Sequence, residues 1–217
     1  MKNLTRVWMK CATAVALGVA GLLATSARRM EAQEGKLALA APVTYDNRFE
    51  LYVGLNYQGF EAGPALAKVM NLGGAEVSGT YWVTKKWGAT VVARPEAGTS
   101  FVTPNAAFNG RAIVALYSGL GGVQYRVGQN QKAAFSLHAF GGAAHGDFSE
   151  TITVQQGSGF YNNETKLIQA AGGAFDFNLS KNFALRLSPD VVFEEFGPGV
   201  RQYFYVSGGL VWRIGKK

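Results

Sequence analysis

The stretch Phe49-Glu50-Leu51-Tyr52-Val53-Gly54-Leu55-Asn56-Tyr57 alternates without a break. Phe49, Leu51, Val53, Leu55 and Tyr57 fall on one face and Glu50, Tyr52, Gly54 and Asn56 on the other, because successive strand side chains point to opposite sides. The pattern recurs near the C-terminus. There Phe204, Val206, Leu210, Trp212 and Ile214 oppose Tyr203, Tyr205, Ser207 and Arg213. Between these ends, Phe183, Leu185, Leu187, Val191 and Phe193 oppose Arg186, Ser188 and Asp190, and Phe175, Phe177 and Leu179 oppose Asp176 and Asn178. Alternation and turn residues predict eight strands, at 48–57, 71–84, 87–96, 111–127, 132–145, 166–179, 182–193 and 202–214. The third and fourth alternate weakly, with Val and Leu on both faces.

The solvent of the apolar face follows from what is missing. A soluble β-protein places Lys on its water-facing strand positions. The 11 lysines of this chain lie in the first ten residues, in turns and loops and at the C-terminus, with Lys166 at a strand mouth. Nine charges fall well inside the strands: Glu50, Glu76, Arg94, Glu96, Arg126, Asp176, Arg186, Asp190 and Arg213. All nine lie on the polar face. A charge facing lipid at mid-depth costs about 2–4 kcal/mol, so this segregation predicts apolar faces turned to lipid and polar faces turned into a small closed barrel. Phe49, Trp87, Tyr125, Phe135, Phe177, Phe183 and Trp212 fall near one rim of the apolar face, where a periplasmic aromatic girdle is expected. Tyr57, Phe193 and Phe204 suit the other rim.

The connections run long, short, long, short, long, short, long. The short ones lie at Lys85-Lys86, Gly128–Gln131 and Ser180–Asn182, and the long ones at 58–70, 97–110, 146–165 and 194–201. Short turns on one side and longer loops on the other predict periplasmic turns and external loops. Pro95 and Pro189 interrupt strand patterns, so bulges or early strand ends are expected there. Five Gly-Gly pairs (73–74, 121–122, 141–142, 172–173 and 208–209) suggest curvature, or room for large lumen side chains.

The chain has 217 residues, 48% hydrophobic and 16% charged, enough for one domain of low charge. Lys2, Arg6 and Lys10 precede an apolar run from Cys11 to Ala24, followed by Thr25-Ser26-Ala27. This reads as a secretory signal peptide over 1–27, cleaved after Ala27. Residues 28–47 read as a periplasmic N-terminal linker without periodicity. The only cysteine, Cys11, leaves with the signal, so disulfides, Cys-ligated metals and a Cys nucleophile are excluded from the mature chain. Losing three positive charges lowers the net charge from +7 to +4. That excess is unclustered, which argues against a nucleic-acid partner.

The signal peptide, the eight alternating strands from Phe49 to Ile214, the loop asymmetry and the ending Val206-Ser207-Gly208-Gly209-Leu210-Val211-Trp212-Arg213-Ile214 resemble the small OmpA-type outer-membrane β-barrels. The resemblance covers the transmembrane barrel over 48–217 and no peptidoglycan-binding domain. Such barrels end in an aromatic residue read during assembly, whereas this chain continues through Gly215-Lys216-Lys217. The resemblance implies an all-β, eight-stranded antiparallel up-and-down transmembrane barrel in the cell outer membrane of a Gram-negative-type envelope. It implies outer-membrane lipid, lipopolysaccharide and the assembly machinery as partners, and a monomer.

The nine lumen charges, four Arg against five acids, read as a salt-bridge network filling a narrow interior. The alternative is a gated, porin-like pore in which Arg94, Arg186 and Glu50 rearrange. Catalysis finds little support. The residues two after His138 and His145 are Phe140 and Asp147, so the His-x-Ser motif of lipid A deacylases is absent, and Ser136-x-His138 reverses its order. The two histidines stand about 23 Å apart along a strand, too far to share a metal, and no cofactor is implied. The loop Gln155–Asn163 reads as a solvated tip or a contact surface. The expected function is therefore non-catalytic: envelope structure, with surface loops for adhesion or recognition. The alternatives are a narrow diffusion channel, a lipid-modifying enzyme acting through Ser136 and His138, and a secreted lipocalin-like barrel with its apolar face inward.

Overall fold

In the computed structural model the described residues are 42–63, 69–101, 111–148, 161–197 and 199–216. The signal peptide, most of the linker, the cleavage site and the tip of the 155–163 loop lie outside them. Eight strands follow in order: β1 Phe49–Phe60, β2 Met70–Trp82, β3 Trp87–Phe101, β4 Arg111–Gln129, β5 Ala133–Asp147, β6 Glu164–Asn178, β7 Phe183–Glu194 and β8 Arg201–Ile214. Each pairs antiparallel with its neighbours in sequence, and β1 pairs with β8 to close the barrel. This is the up-and-down barrel expected from the alternation. No helix among the described residues is long and apolar enough to cross a membrane.

The outer face is apolar. Leu55 is 75% exposed, Val91 67% and Leu210 53%. All nine strand charges are buried on the inner face. A secreted lipocalin-like barrel would reverse the two faces, so that reading is overturned. Lys166 lies inside β6, near its loop end, where it pairs with Glu164 at 3.1 Å.

The short turns are held by side-chain oxygens. Thr84 Oγ1 accepts from the amides of Lys86 and Trp87, Asn130 Oδ1 from those of Lys132 and Ala133, and Ser180 Oγ from that of Phe183. These are the local bonds that make Ser, Thr and Asn turn formers.

The prolines produce neither a bulge nor a strand end, contrary to expectation. β3 continues five residues past its expected end, and Pro95 stays in register with Tyr117. The β2–β3 ladder lapses between Gly74–Glu96 and Val77–Ala93 without a shift, and the β6–β7 ladder lapses likewise beside Pro189. The reason is a substitution of donors. Ala75 and Gly173 stand opposite the two prolines, which have no N–H to give. Asn56 Nδ2 donates to the Ala75 carbonyl at 3.0 Å, and Ser188 Oγ to the Gly173 carbonyl at 3.3 Å. The register does shift between Arg126 and Gly128, a bulge that leaves Val127 on the outside.

In each Gly-Gly pair the inner member is sterically required. A Cβ on Gly74, Gly122, Gly142, Gly172 or Gly209 would meet an oxygen at 2.0–2.3 Å, mostly a neighbouring strand's carbonyl. Such close approach is how a narrow barrel bends its wall. At Gly172 a Cβ would also press on Asp190 Oδ1 at 2.3 Å, so that glycine makes room for a lumen carboxylate.

Candidate functional site

The lumen is filled in three layers. Nearest the turns, Glu50 and Asp176 meet Arg126, Arg186 and Arg213. Arg126 Nη2 lies 2.7 Å from Glu50 Oε1, and Arg186 Nη2 3.2 Å from Glu50 Oε2. Arg186 Nε donates to Asp176 Oδ1 at 2.6 Å and its Nη2 to Oδ2 at 2.9 Å, a bidentate pair. Arg213 reaches both Glu50 and Asp176 at 3.5 Å and donates to Asn178 Oδ1 at 2.8 Å.

The middle layer centres on Arg94. Its Nε lies 3.0 Å from Glu76 and its Nη2 2.6 Å from Asp190. His138 Nε2 takes the other Asp190 oxygen at 2.7 Å, and the Tyr205 hydroxyl donates to Glu76. Every lumen arginine also rests on an aromatic ring: Arg94 on Tyr205 at 3.9 Å, Arg126 on Trp82 at 3.8 Å, Arg186 on Tyr52 at 5.6 Å and Arg213 on Tyr45 at 4.8 Å. Flat rings match guanidinium planes and exclude water from them.

The third layer, toward the loops, is apolar. Phe60, Leu72, Leu116, Phe148, Ile168 and Phe196 pack there with Tyr161 and Tyr203. Phe196 meets Phe60 and Phe148 edge-on, with centroids 5.9 and 5.8 Å apart. Val92, Leu116 and Leu120 face inward in the same buried apolar cluster, which is why β3 and β4 show apolar residues on both faces. Glu96 points inward between the charged layers and the plug, and its two carboxylate oxygens have no hydrogen-bond partner. Glu194, one residue past the expected end of its strand, accepts from Gln58. The same period that places Asp190 inward reaches Glu194 and could have found it.

The turn mouth is closed by the end of the linker. Residues 42–47 tuck under the barrel, and Tyr45 is 4% exposed. Its ring faces Arg126 at 4.9 Å as well as Arg213, its hydroxyl donates to the Asn130 carbonyl at 2.8 Å, and Asn178 Nδ2 donates to that hydroxyl at 2.6 Å. Gln131 clasps the Val43 backbone twice, accepting from its N–H at 2.8 Å and donating to its carbonyl at 3.2 Å. Tyr45 has φ 52°, a conformation a bulky residue adopts only when its surroundings hold it there.

Ser136 and His138 both face the lumen, but His138 is committed to Asp190 and its ring stacks on Phe140 at 4.5 Å. His145 lies on the outer face, 3.0 Å from Thr165. The wall separates the two histidines, and no group of three metal-ligating side chains occurs among the described residues.

On the outside, Phe49, Trp87, Phe177, Phe183 and Trp212 are exposed, and Tyr125 and Phe135 are partly covered. Trp87 packs on Tyr125 at 4.7 Å, Phe135 on Phe175 at 4.7 Å, and Phe183 stacks on Trp212 at 6.2 Å. Tyr57 and Phe204 project outward on β1 and β8 eight residues from Phe49 and Trp212. At a tilt of about 40°, that spacing gives an apolar band roughly 20 Å tall.

Solved structures with this architecture include Ail, the attachment invasion locus protein of Yersinia pestis. It matches with a TM-score of 0.52 and 18% identity over 78% of this chain and 99% of that one. The fold is that of the small outer-membrane barrels. Neisserial surface protein A also matches, with a TM-score of 0.52 and 12% identity over 76% of this chain and 97% of that one. No family model and no curated protein matches the chain.

Proposed function

We propose that this chain is a non-conducting outer-membrane barrel that contributes to envelope structure and holds its loops at the cell surface for adhesion or recognition. The filled lumen carries the reading. Arg94 reaches from β3 to Asp190 on β7, the apolar plug covers the loop side, and Tyr45 covers the turn side. Eight strands enclose a space that side chains can fill, and here they do. Ail, an attachment invasion locus protein, and Neisserial surface protein A share the fold.

Cells expressing the full chain should carry it in the outer-membrane fraction, as a band whose migration changes on boiling. The purified barrel should give no conductance steps in a planar bilayer. Discrete steps from folded protein would replace this reading with the narrow channel. A soluble band in the periplasm would remove the membrane altogether.

A further inference from the structure

Beneath the aromatic girdle the turn rim is basic. Arg48, Lys85, Lys86, Lys132, Lys181 and Lys216 are exposed there, and Asp46, partly exposed, is the one acid at that rim outside the lumen among the described residues. Asp46 sits at a cavity of about 350 Å³ formed where residues 44–47 pass the β6–β7 turn and the end of β8. Lys181, Lys216, Trp212 and Ile214 line the same cavity. Trp212 and Ile214 belong to the outer apolar face, so the cavity opens at the boundary between lipid and water. Ile214 also lines a second, apolar groove of about 830 Å³ on the outer wall. There Gly79, Ala89 and Gly121 leave a hollow bordered by Phe49, Leu51 and Val91. Ile214 thus borders both a cavity carrying Asp46, Lys181 and Lys216 at headgroup level and an apolar groove at acyl level.

We propose that the cavity and groove together bind one glycerophospholipid carrying a primary-amine headgroup. Lys181 and Lys216 hold the phosphate, the Asp46 carboxylate takes the ammonium, and the acyl chains follow Ile214 into the groove. The Thr44 hydroxyl, and after it the backbone amide of Asp46 and then Lys181 and Lys216, hold the Asp46 carboxyl below its ordinary range. Trp212 is already stacked on Phe183, so its ring gives up little freedom when a lipid lies against it. The proposal rests on the membrane placement argued above.

The test is native mass spectrometry of the mature chain, released from detergent after exchange into equal mixtures of phosphatidylethanolamine, phosphatidylcholine and phosphatidylglycerol. One retained phosphatidylethanolamine is expected, favoured at least tenfold over phosphatidylcholine, whose quaternary ammonium has no N–H for Asp46. Lys181→Gln with Lys216→Gln should lose the retained lipid of every headgroup. Asp46→Asn should keep a lipid but lose the choice between ethanolamine and choline. Equal retention of all three lipids, unchanged in both variants, would reduce the site to annular lipid and overturn the proposal. So would a preference for phosphatidylglycerol that Asp46→Asn leaves intact. A heat-modifiable band from each variant shows that the barrel still folds. A chain that stays folded in buffer without detergent undoes the membrane placement itself, whereas lipid retained without headgroup choice undoes only the site.

Discussion

Arg94 and Asp190 meet across the barrel axis, Nη2 to Oδ2 at 2.6 Å. Their strands, β3 and β7, are four apart in a ring of eight, so the pair spans the full width of the lumen. Both side chains are buried, and each has further partners: Glu76 for Arg94 and His138 for Asp190. A buried pair of this kind costs desolvation when it forms, and contributes most through what happens when one side is removed.

Asp190→Ala should therefore destabilise the barrel by about 3–5 kcal/mol, because Arg94 keeps its charge and loses its closest partner. Asp190→Asn should lose less, since an amide oxygen still accepts from Arg94. The temperature at which the compact unboiled gel band disappears ranks the three proteins. Equal temperatures for wild type and Asp190→Ala would mean that the pair does not brace the wall.

Ser188 and Pro189 should be energetically coupled. Ser188→Ala alone leaves the Gly173 carbonyl without its donor and should cost about 1 kcal/mol. In a Pro189→Ala background the restored N–H can serve that carbonyl, and Ser188→Ala should become nearly neutral. Urea unfolding of the four proteins closes a double-mutant cycle. Zero coupling would show that the hydroxyl does not stand in for the missing N–H.

The outer face should show a dependence on depth. Val53→Arg places a charge in the middle of the band, four residues from both Phe49 and Tyr57, and should cost about 2–4 kcal/mol, whereas Gln202→Arg, near the loop rim, should cost about 0–1 kcal/mol. Equilibrium unfolding from lipid vesicles reads both. Equal costs would put the band elsewhere on the wall.

Tyr45 should hold the turn mouth through its ring more than through its hydroxyl. Tyr45→Phe removes the bonds to Asn130 and Asn178 and should cost about 1 kcal/mol. Tyr45→Ala also removes two arginine contacts and should cost about 2–3 kcal/mol. Amide exchange at Ala133 and Asn178 should quicken strongly in the second variant and weakly in the first. The reverse order would assign the closure to the hydroxyl.

Asp46 gives a pH dependence of known sign. Its folded value lies below the ordinary 3.8, so its contribution is complete above that value and is lost as pH falls through the folded one. Thr44→Ala should move the titration midpoint of the Asp46 carboxyl upward, toward the ordinary value, in carbon-detected NMR. A midpoint that stays put would take the depression away from the Thr44 hydroxyl.

The wall was legible in the sequence because a strand's period is local. Leu51 and Glu50 announce their faces without reference to any other strand. The contacts across the lumen were not legible. Whether Arg94 meets Asp190 or Asp176 depends on the stagger of the whole ring, and no window of sequence contains that stagger. The prolines misled for a related reason. Pro95 looks like a break when only its own strand is read, while the amide that replaces its N–H comes from Asn56 on β1, two strands away. Tyr45 left no periodic trace at all, because turns from other parts of the chain hold it. The weak alternation of β3 and β4 was itself a signal, since inward Val92 and Leu116 belong to a buried apolar cluster inside the barrel.

A packed interior also frees the exterior from transport. A pore's loops share responsibility for what passes through, so altering them alters permeation. On the proposed reading the surface loops border no solute route, and the arginines that brace the wall lie below the apolar plug. A foreign segment grafted between β5 and β6 would change what the surface displays and leave every bridge in the lumen untouched. On that reading the chain is a mount with interchangeable heads.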